Sequence, residues 1–182
     1  MLAFDCTEED AQYFFGREAL TDELLEKVRV GNFLAVLGAS GSGKSSVVRA
    51  GLLYQLNLGQ RLSGSEAWEI RIIKPAEHPL ESLALAFVDK NLLGIDQASQ
   101  LAKAEELFAQ DSQGLRRLAQ VSNTPRVVLV VDQFEEVFTL CGDKEEDKKE
   151  RQKFFDCLLA PVATDFVADE ADVAPSYPSS SP

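Results

Sequence analysis

Eight consecutive residues, 38–45, have the types and spacing that bind a phosphate group. They read GASGSGKS and satisfy the pattern GxxxxGK[ST]. Glycine permits backbone torsions and close approaches that a Cβ would block, so successive N–H groups can turn inward around a phosphate. A helix that begins near Gly43 would add the positive end of its dipole. The residues expected to bind phosphate here are Gly38, Ser40, Gly41, Ser42, Gly43, Lys44, Ser45 and Ser46.

Two oxygen donors from distant parts of the sequence could hold Mg²⁺ beside that phosphate. The Lys44 ammonium would reach the β- and γ-phosphates, and the Ser45 hydroxyl would bind Mg²⁺, which prefers hard oxygen ligands. Asp132 directly follows the apolar run 126–131, and α/β sheets place ligand-binding residues at the C-terminal ends of their strands. Ser45 and Asp132 are therefore the predicted metal ligands. The alternative for Asp132 is that it only caps the helix that follows.

Glu135 and Glu136 follow Asp132 within one helical turn. One of the two carboxylates could point back at the γ-phosphate and orient an attacking water, while its neighbour points elsewhere. Spacing alone does not choose between them, so the catalytic candidates are Glu135, Glu136 and Lys44. The alternative is that both acids only stabilise the start of a helix through its dipole.

The elements around these residues predict an α/β fold with a mainly parallel sheet. Apolar runs at 32–37, 68–73 and 126–131 are expected to be strands, and the first and last of them should be buried on both faces. Strands that alternate with helices are typical of this fold class. Helices are expected at 7–15, 17–30, from Lys44 onward, at 80–93, at 97–121 with a break near 111–114, and from about Phe134.

The composition limits the classes of partner. A formal charge of −12 repels phosphate backbones and anionic lipids, so neither nucleic acid nor a membrane is an expected partner. No apolar run reaches the roughly 18 to 20 residues that cross a bilayer, and no signal peptide is visible, which favours a cytoplasmic location. Cys6, Cys141 and Cys157 share no metal-binding spacing and are expected to be reduced structural thiols. His78 is expected to be structural or a residue at which a helix begins.

Taken together, the motifs resemble those of the bacterial STAND-class NTPases, in particular the novel STAND NTPase domain often found upstream of WD repeats. The resemblance covers about residues 10–159, and the combination is more specific than any one motif. Its loop is the Walker A pattern and Asp132 is at the Walker B position. The residues that carry it are FFGRE at 14–18, GASGSGKSS at 38–46, KP at 74–75, HPL at 78–80 and VDQFEE at 131–136.

The resemblance implies a three-layer P-loop fold, ATP and Mg²⁺ as ligands, and a nucleotide-operated switch with slow hydrolysis. An ATP-bound state would self-associate and an ADP-bound state would rest, with sensor and effector domains elsewhere in the polypeptide. The GRE segment would lie beside the adenine, so Phe15, Gly16 and Arg17 become candidates for base contacts, and aromatic rings and guanidinium groups do stack on bases. The alternative is a helix-breaking glycine with a surface arginine.

The resemblance also implies a strand that the sequence does not supply. Proteins of this class place another strand between the Walker A and Walker B strands, and it normally follows the Walker B strand in the chain. Residues 160–182 contain no buried run. The sheet is therefore expected to be incomplete on its C-terminal side, with unpaired edges or an unusual pairing, and the chain to be an N-terminal part of a longer NTPase.

The predicted domain spans residues 1–168, including a helical lead-in at 7–30, and 169–182 reads as a disordered acidic and Ser/Pro-rich tail. Two further functions stay open. The chain could be an ordinary P-loop ATPase or kinase, whose chemistry is itself the output, or an interaction fragment without activity. ATP is preferred over GTP because the chain has no NKxD-type sequence that would read guanine.

Overall fold

The computed structural model describes residues 17–163 of the 182-residue chain. The helix expected at 7–15, the tail at 169–182, Phe15, Gly16 and Cys6 lie outside these residues. Within them, the helices are α1 (Glu18–Val30), α2 (Lys44–Ser46), a π-helical stretch (Val47–Leu53), α3 (Tyr54–Leu58), a 3₁₀ turn (Ser65–Ala67), α4 (Pro79–Leu85), α5 (Gly94–Gln110), α6 (Gly114–Gln120), α7 (Glu136–Thr139) and α8 (Glu145–Ala163). The strands are β1 (Glu69–Ile73) and β2 (Val127–Val131).

β1 and β2 form a two-stranded parallel sheet, in which Glu69 lies opposite Val127 and Ile73 lies opposite Val131. Both strands are rich in β-branched residues, which pack well on a pleated surface. Parallel neighbours need a long crossover, and α4, α5 and α6 supply it. The α/β class was predicted from three strands, and it is confirmed with two of them: helices and strands alternate and the two strands are parallel.

Alternate residues of the two strands face two separate cores. Ile73, Leu129 and Val131 contact one core, which α4, α5, α6 and α8 complete and in which Leu83, Phe108 and Phe154 are buried. The opposite face of the sheet contacts a second core under α1 and the helix that follows the glycine-rich loop, with Leu53 and Leu56 at its centre. Helices therefore cover both faces of the sheet, and the second core fixes the position of the loop.

The segment 32–37 is not a strand, contrary to the prediction. Residues 33–39 have no regular secondary structure, and the segment pairs with neither β1 nor β2. Leu34 and Val36 pack against the second core, whereas Phe33 is 63% exposed and Leu37 is 90% exposed. Only one side of the run is covered, and no described strand runs beside it to accept its backbone hydrogen bonds. The sheet of the described residues thus lacks the strand predicted at 32–37, and β2 is paired on its β1 side.

The helix predicted at 80–93 ends at Leu85 instead. Beyond it, the backbone N–H of Asn91 and its side-chain amide both donate to Asp89 Oδ1, at 2.9 and 3.0 Å. Short polar side chains of this kind compete with helical hydrogen bonds, which explains why the apolar periodicity did not extend the helix. The break predicted near 111–114 is confirmed, since α5 ends at Gln110 and α6 begins at Gly114.

Candidate functional site

The glycine-rich loop lies between the segment 32–37 and α2 and is held open to solvent. Gly41 and Gly43 have φ values of 75° and 86°, a region that residues with a Cβ rarely adopt. A Cβ on Gly38 would lie 3.0 Å from Ser42 Oγ, so the loop also leaves little room at its start. Gly41 and Gly43 thus allow the backbone conformation of the loop, and Gly38 allows the close approach of Ser42.

The Lys44 ammonium lies inside the curve of the loop. Its Nζ donates to Gly38 O at 2.8 Å and to Ala39 O at 3.0 Å. The side chain therefore folds back over the loop rather than extending into solvent. This places a positive charge among the backbone groups that the sequence predicted to bind phosphate.

Ser45 and Asp132 meet across 87 positions of sequence. Ser45 Oγ donates to Asp132 Oδ1 at 2.7 Å. Ser45 is in the first turn of α2, and Asp132 directly follows β2. The Asp132 N–H donates to Ile73 O at 2.9 Å, which extends the hydrogen bonding between β1 and β2 by one residue. The structure thus brings the two predicted metal ligands together at the C-terminal edge of the sheet. A hydroxyl and a carboxylate are hard oxygen donors of the kind Mg²⁺ prefers, so the donor set fits this ion.

Arg49 pairs with the other oxygen of the same carboxylate. Its Nη2 donates to Asp132 Oδ2 at 2.9 Å, and each side chain is only 14% exposed. Burial raises the pKa of the Asp132 carboxyl, but the hydrogen bonds from Ser45 and Arg49 outweigh burial, so this pKa lies below its usual range. Asp132 is therefore a carboxylate at neutral pH. Sequence reasoning missed Arg49, although its spacing of four residues from Ser45 on one helix was a usable signal.

Glu135 and Glu136 differ in what they contact. Glu136 Oε2 accepts from the backbone N–H of Ala76 at 3.2 Å, and Ala76 has a φ of 52°. Glu136 therefore holds the turn after β1. Glu135 is exposed, and its carboxylate makes no hydrogen bond or ion pair within residues 17–163. The structure thus distinguishes Glu135 from Glu136 by their contacts, which the sequence alone could not do.

Arg17 lies against the glycine-rich loop. One guanidinium nitrogen, Nη2, donates to Ser42 O at 3.4 Å, and the group would be about 4 Å from a Cβ placed on Gly43. Arg17 therefore contacts the backbone of the loop, and its predicted contact with the adenine base stays a prediction. Phe15 and Gly16, the other two predicted base contacts, are outside the described residues.

His78 has an acidic partner that sequence reasoning did not find. It lies at the start of α4, as expected for a residue that begins a helix, and its Nδ1 is 3.4 Å from Glu150 Oε2 on α8. The hydrogen bond to Glu150 and the charge of that carboxylate raise the pKa of His78 above its ordinary value. Glu150 also accepts from Leu80 N, so it connects α8 to the first turn of α4. Cys141 and Cys157 are buried free thiols, which agrees with their predicted structural role.

The comparison with known protein families settles which group these motifs represent. A family model described as Novel STAND NTPase 1 matches residues 1–174. The chain belongs to this family. Novel STAND NTPases are expected to use a nucleotide and a divalent metal, and the loop, Ser45 and Asp132 of this chain are the residues that fit those two ligands. The resemblance stated from the sequence is confirmed.

No curated protein and no solved structure matched this novel STAND NTPase. Among its described helices, none combines the length and apolar character needed to span a bilayer.

Proposed function

We propose that this chain binds ATP together with Mg²⁺ at the loop 38–46 and acts as the nucleotide-operated switch of a signalling NTPase, with slow hydrolysis. The observation that carries the proposal is the 2.7 Å contact between Ser45 Oγ and Asp132 Oδ1. Two oxygen donors from distant segments converge beside a loop of phosphate-binding type, and this convergence is what a metal-bound polyphosphate requires.

The loop would bind the phosphates through its backbone N–H groups and through Lys44. The ammonium that now contacts Gly38 O and Ala39 O would turn to the phosphate oxygens, whose charge is greater than that of the two carbonyls. Ser45 and Asp132 would hold the metal, which supplies charge neutralisation at the phosphates when it is bound. Arg17, on the backbone at Ser42, would add a second cation at the mouth of the loop.

Glu135 is the proposed residue for orienting the attacking water. Its neighbour Glu136 is occupied by the N–H of Ala76, whereas Glu135 is exposed at the same end of β2. An oriented carboxylate of this kind contributes typically 10²- to 10⁴-fold to a reaction rate. The contacts of the two side chains thus favour Glu135 over Glu136 as the residue that orients water.

The fold and the partners belong to the same proposal. The parallel pairing of β1 with β2 and the helices on both sheet faces support a three-layer P-loop fold, to which the segment 32–37 would contribute a strand once a neighbour lies beside it. Sensor and effector domains, or a second copy of the chain, are the proposed partners. The exposed side chains of Phe33 and Leu37 support a covering partner at this edge.

Equilibrium binding of a fluorescent ATP analogue tests the proposal. Lys44→Ala should weaken binding at least tenfold, since it removes the cation inside the loop. Asp132→Asn should leave metal-free binding nearly unchanged and abolish the gain that Mg²⁺ provides. Lys148→Ala, which removes an exposed lysine paired with Glu145 on α8, is the matched control and should bind as the wild type does.

Competition with unlabelled ATP and GTP then measures nucleotide preference, and ATP is expected to compete better. Wild-type affinity in Lys44→Ala would overturn the proposed site. Binding without any hydrolysis in a single-turnover assay would favour the interaction fragment, and phosphate transfer to an added acceptor in place of release to water would favour a kinase.

A further inference from the structure

The carboxylate of Asp132 is held through both of its oxygens by groups of this chain. Oδ1 accepts from Ser45 Oγ at 2.7 Å and from the backbone N–H of Gln133 at 3.0 Å. Oδ2 accepts from Arg49 Nη2 at 2.9 Å. Two of these donors are neutral and one is a full positive charge. Arg49 therefore supplies at Asp132 the kind of charge compensation that a metal ion would otherwise provide.

The helix that follows the loop presents Ser45 and Arg49 together. Residues four apart on a helix lie on nearly the same face, and this remains true in the wider turns of the π-helical stretch, where Arg49 is located. Both side chains reach the same carboxylate from this face. A movement of Asp132 toward a metal beside Ser45 would thus change its distance to Arg49 as well.

The Arg49–Asp132 ion pair is mostly shielded from solvent. With 14% exposure on each side chain, solvent and salt screen this contact less than the exposed pairs on α1 and α8. A carboxylate so compensated attracts a second cation less strongly than an uncompensated one. The guanidinium also repels a divalent ion that approaches the same group.

We propose that Arg49 is a built-in counter-cation that competes with Mg²⁺ for Asp132 and thereby sets the Mg²⁺ concentration at which the nucleotide-bound state forms. The inference rests on the proposed nucleotide site and adds a regulatory residue to it. In the metal-free protein, Arg49 keeps Asp132 in place beside Ser45. In the nucleotide-bound state, Ser45 and Asp132 would hold Mg²⁺, and the Arg49–Asp132 contact would be weaker than in the metal-free protein.

The test is a Mg²⁺ titration of nucleotide binding in Arg49→Gln and Arg49→Lys. A fluorescent ADP analogue at fixed concentration reports binding while Mg²⁺ is varied. Arg49→Gln should lower the half-saturating Mg²⁺ concentration by roughly fivefold or more, the size expected from removing one nearby positive charge. Arg49→Lys retains the charge and should stay within about twofold of the wild type.

A second readout is thermal melting, which does not depend on a fluorescent analogue. Without Mg²⁺, Arg49→Gln should melt at a lower temperature than the wild type, because Asp132 loses its charged partner. Added Mg²⁺ and ADP should raise the melting temperature of Arg49→Gln by more than they raise that of the wild type. A merely structural arginine would lower both melting temperatures equally and leave the Mg²⁺ dependence unchanged.

An unchanged or higher Mg²⁺ requirement in Arg49→Gln overturns the inference. Failure of the wild type to bind any nucleotide would instead overturn the proposed function, so the two failures are distinguishable. Should Arg49→Gln not fold, the wild-type guanidinium NMR signals decide the question, with Arg49→Lys used to assign Arg49. These signals must shift when Mg²⁺ and ADP are added, and an Arg49 signal that does not respond refutes the competition.

Discussion

Glu135 and Glu136 give the sharpest test of the proposed chemistry, because adjacent and chemically identical side chains are expected to fail in different ways. Glu135→Gln keeps size and polarity but removes the charge that would orient water. Loss of such a group typically costs 10²- to 10⁴-fold in rate, or about 2.7 to 5.4 kcal/mol of transition-state stabilisation. Its melting temperature should stay near that of the wild type, since no described residue depends on the Glu135 carboxylate.

Glu136 should show the opposite pattern. Glu136→Gln keeps an oxygen that can accept from Ala76 N, so its turnover should stay within about threefold of the wild type. Glu136→Ala removes the 3.2 Å hydrogen bond to Ala76 N. A hydrogen bond of this kind contributes roughly 1 kcal/mol net, which corresponds to a fall in melting temperature of about 2 to 4 °C for a chain of this size.

The assay is a single-turnover measurement with protein in excess over ATP, followed by chromatography of the bound nucleotide. The wild type and Glu136→Gln should accumulate ADP, and Glu135→Gln should retain intact ATP. Thermal melting of each variant provides the stability arm. Rapid ADP formation in Glu135→Gln, or its loss in Glu136→Gln without any change in melting, would refute the assignment of the two roles.

Three further expectations concern the rest of the chain. The single histidine, His78, should titrate by NMR with a pKa above its ordinary value, and in Glu150→Gln this pKa should move back toward the ordinary value. Because the pKa is raised in the folded state, the stability that the pair contributes is complete below about pH 6.5. It is lost as the pH rises through the raised pKa. Phe154→Ala should lower the free energy of unfolding by about 3 to 5 kcal/mol, measured by urea denaturation, because Phe154 is fully buried, whereas the same change at Leu159, which is 53% exposed, should cost well under half as much. Arg126→Lys should lower the free energy of unfolding by about 1 to 3 kcal/mol in the same experiment. Arg126 donates to Val28 O at 3.0 Å and to Asn32 Oδ1 at 2.8 Å and covers the Trp68 ring, and a lysine ammonium lacks the planar fork that makes these contacts together. An unchanged urea midpoint would contradict this.

The parts of the fold that were predictable are those in which local pattern and tertiary environment agree. The apolar run 126–131 became β2, and 68–73 became β1, because each found the other as a hydrogen-bonding neighbour. The run 32–37 is as apolar as either, yet no described strand is hydrogen-bonded to it and it is not a strand. Strand formation depends on a partner, here more than 50 positions away in sequence, and hydrophobicity alone does not encode that partner.

The candidate site was predictable to the level of motifs but not of pairings. Ser45 and Asp132 were assigned to one metal site, and their side chains are in contact. Arg49 was missed because no motif contains it, although its charge reaches the same carboxylate. The different contacts of Glu135 and Glu136 depend on the positive φ at Ala76, which turns a backbone N–H toward only one of them. Such a torsion at a non-glycine residue has no simple sequence signal.

The open run at 33–37 has a consequence for how the purified chain should behave in solution. A second copy of the chain could bind there, because the run exposes a phenylalanine and a leucine side chain and its backbone is not paired with a strand. The net charge of −12 opposes this association by repulsion between the molecules. Added salt shortens the range of that repulsion and leaves apolar attraction intact. Light scattering should therefore increase with ionic strength, the reverse of what an aggregate built on ion pairs would do.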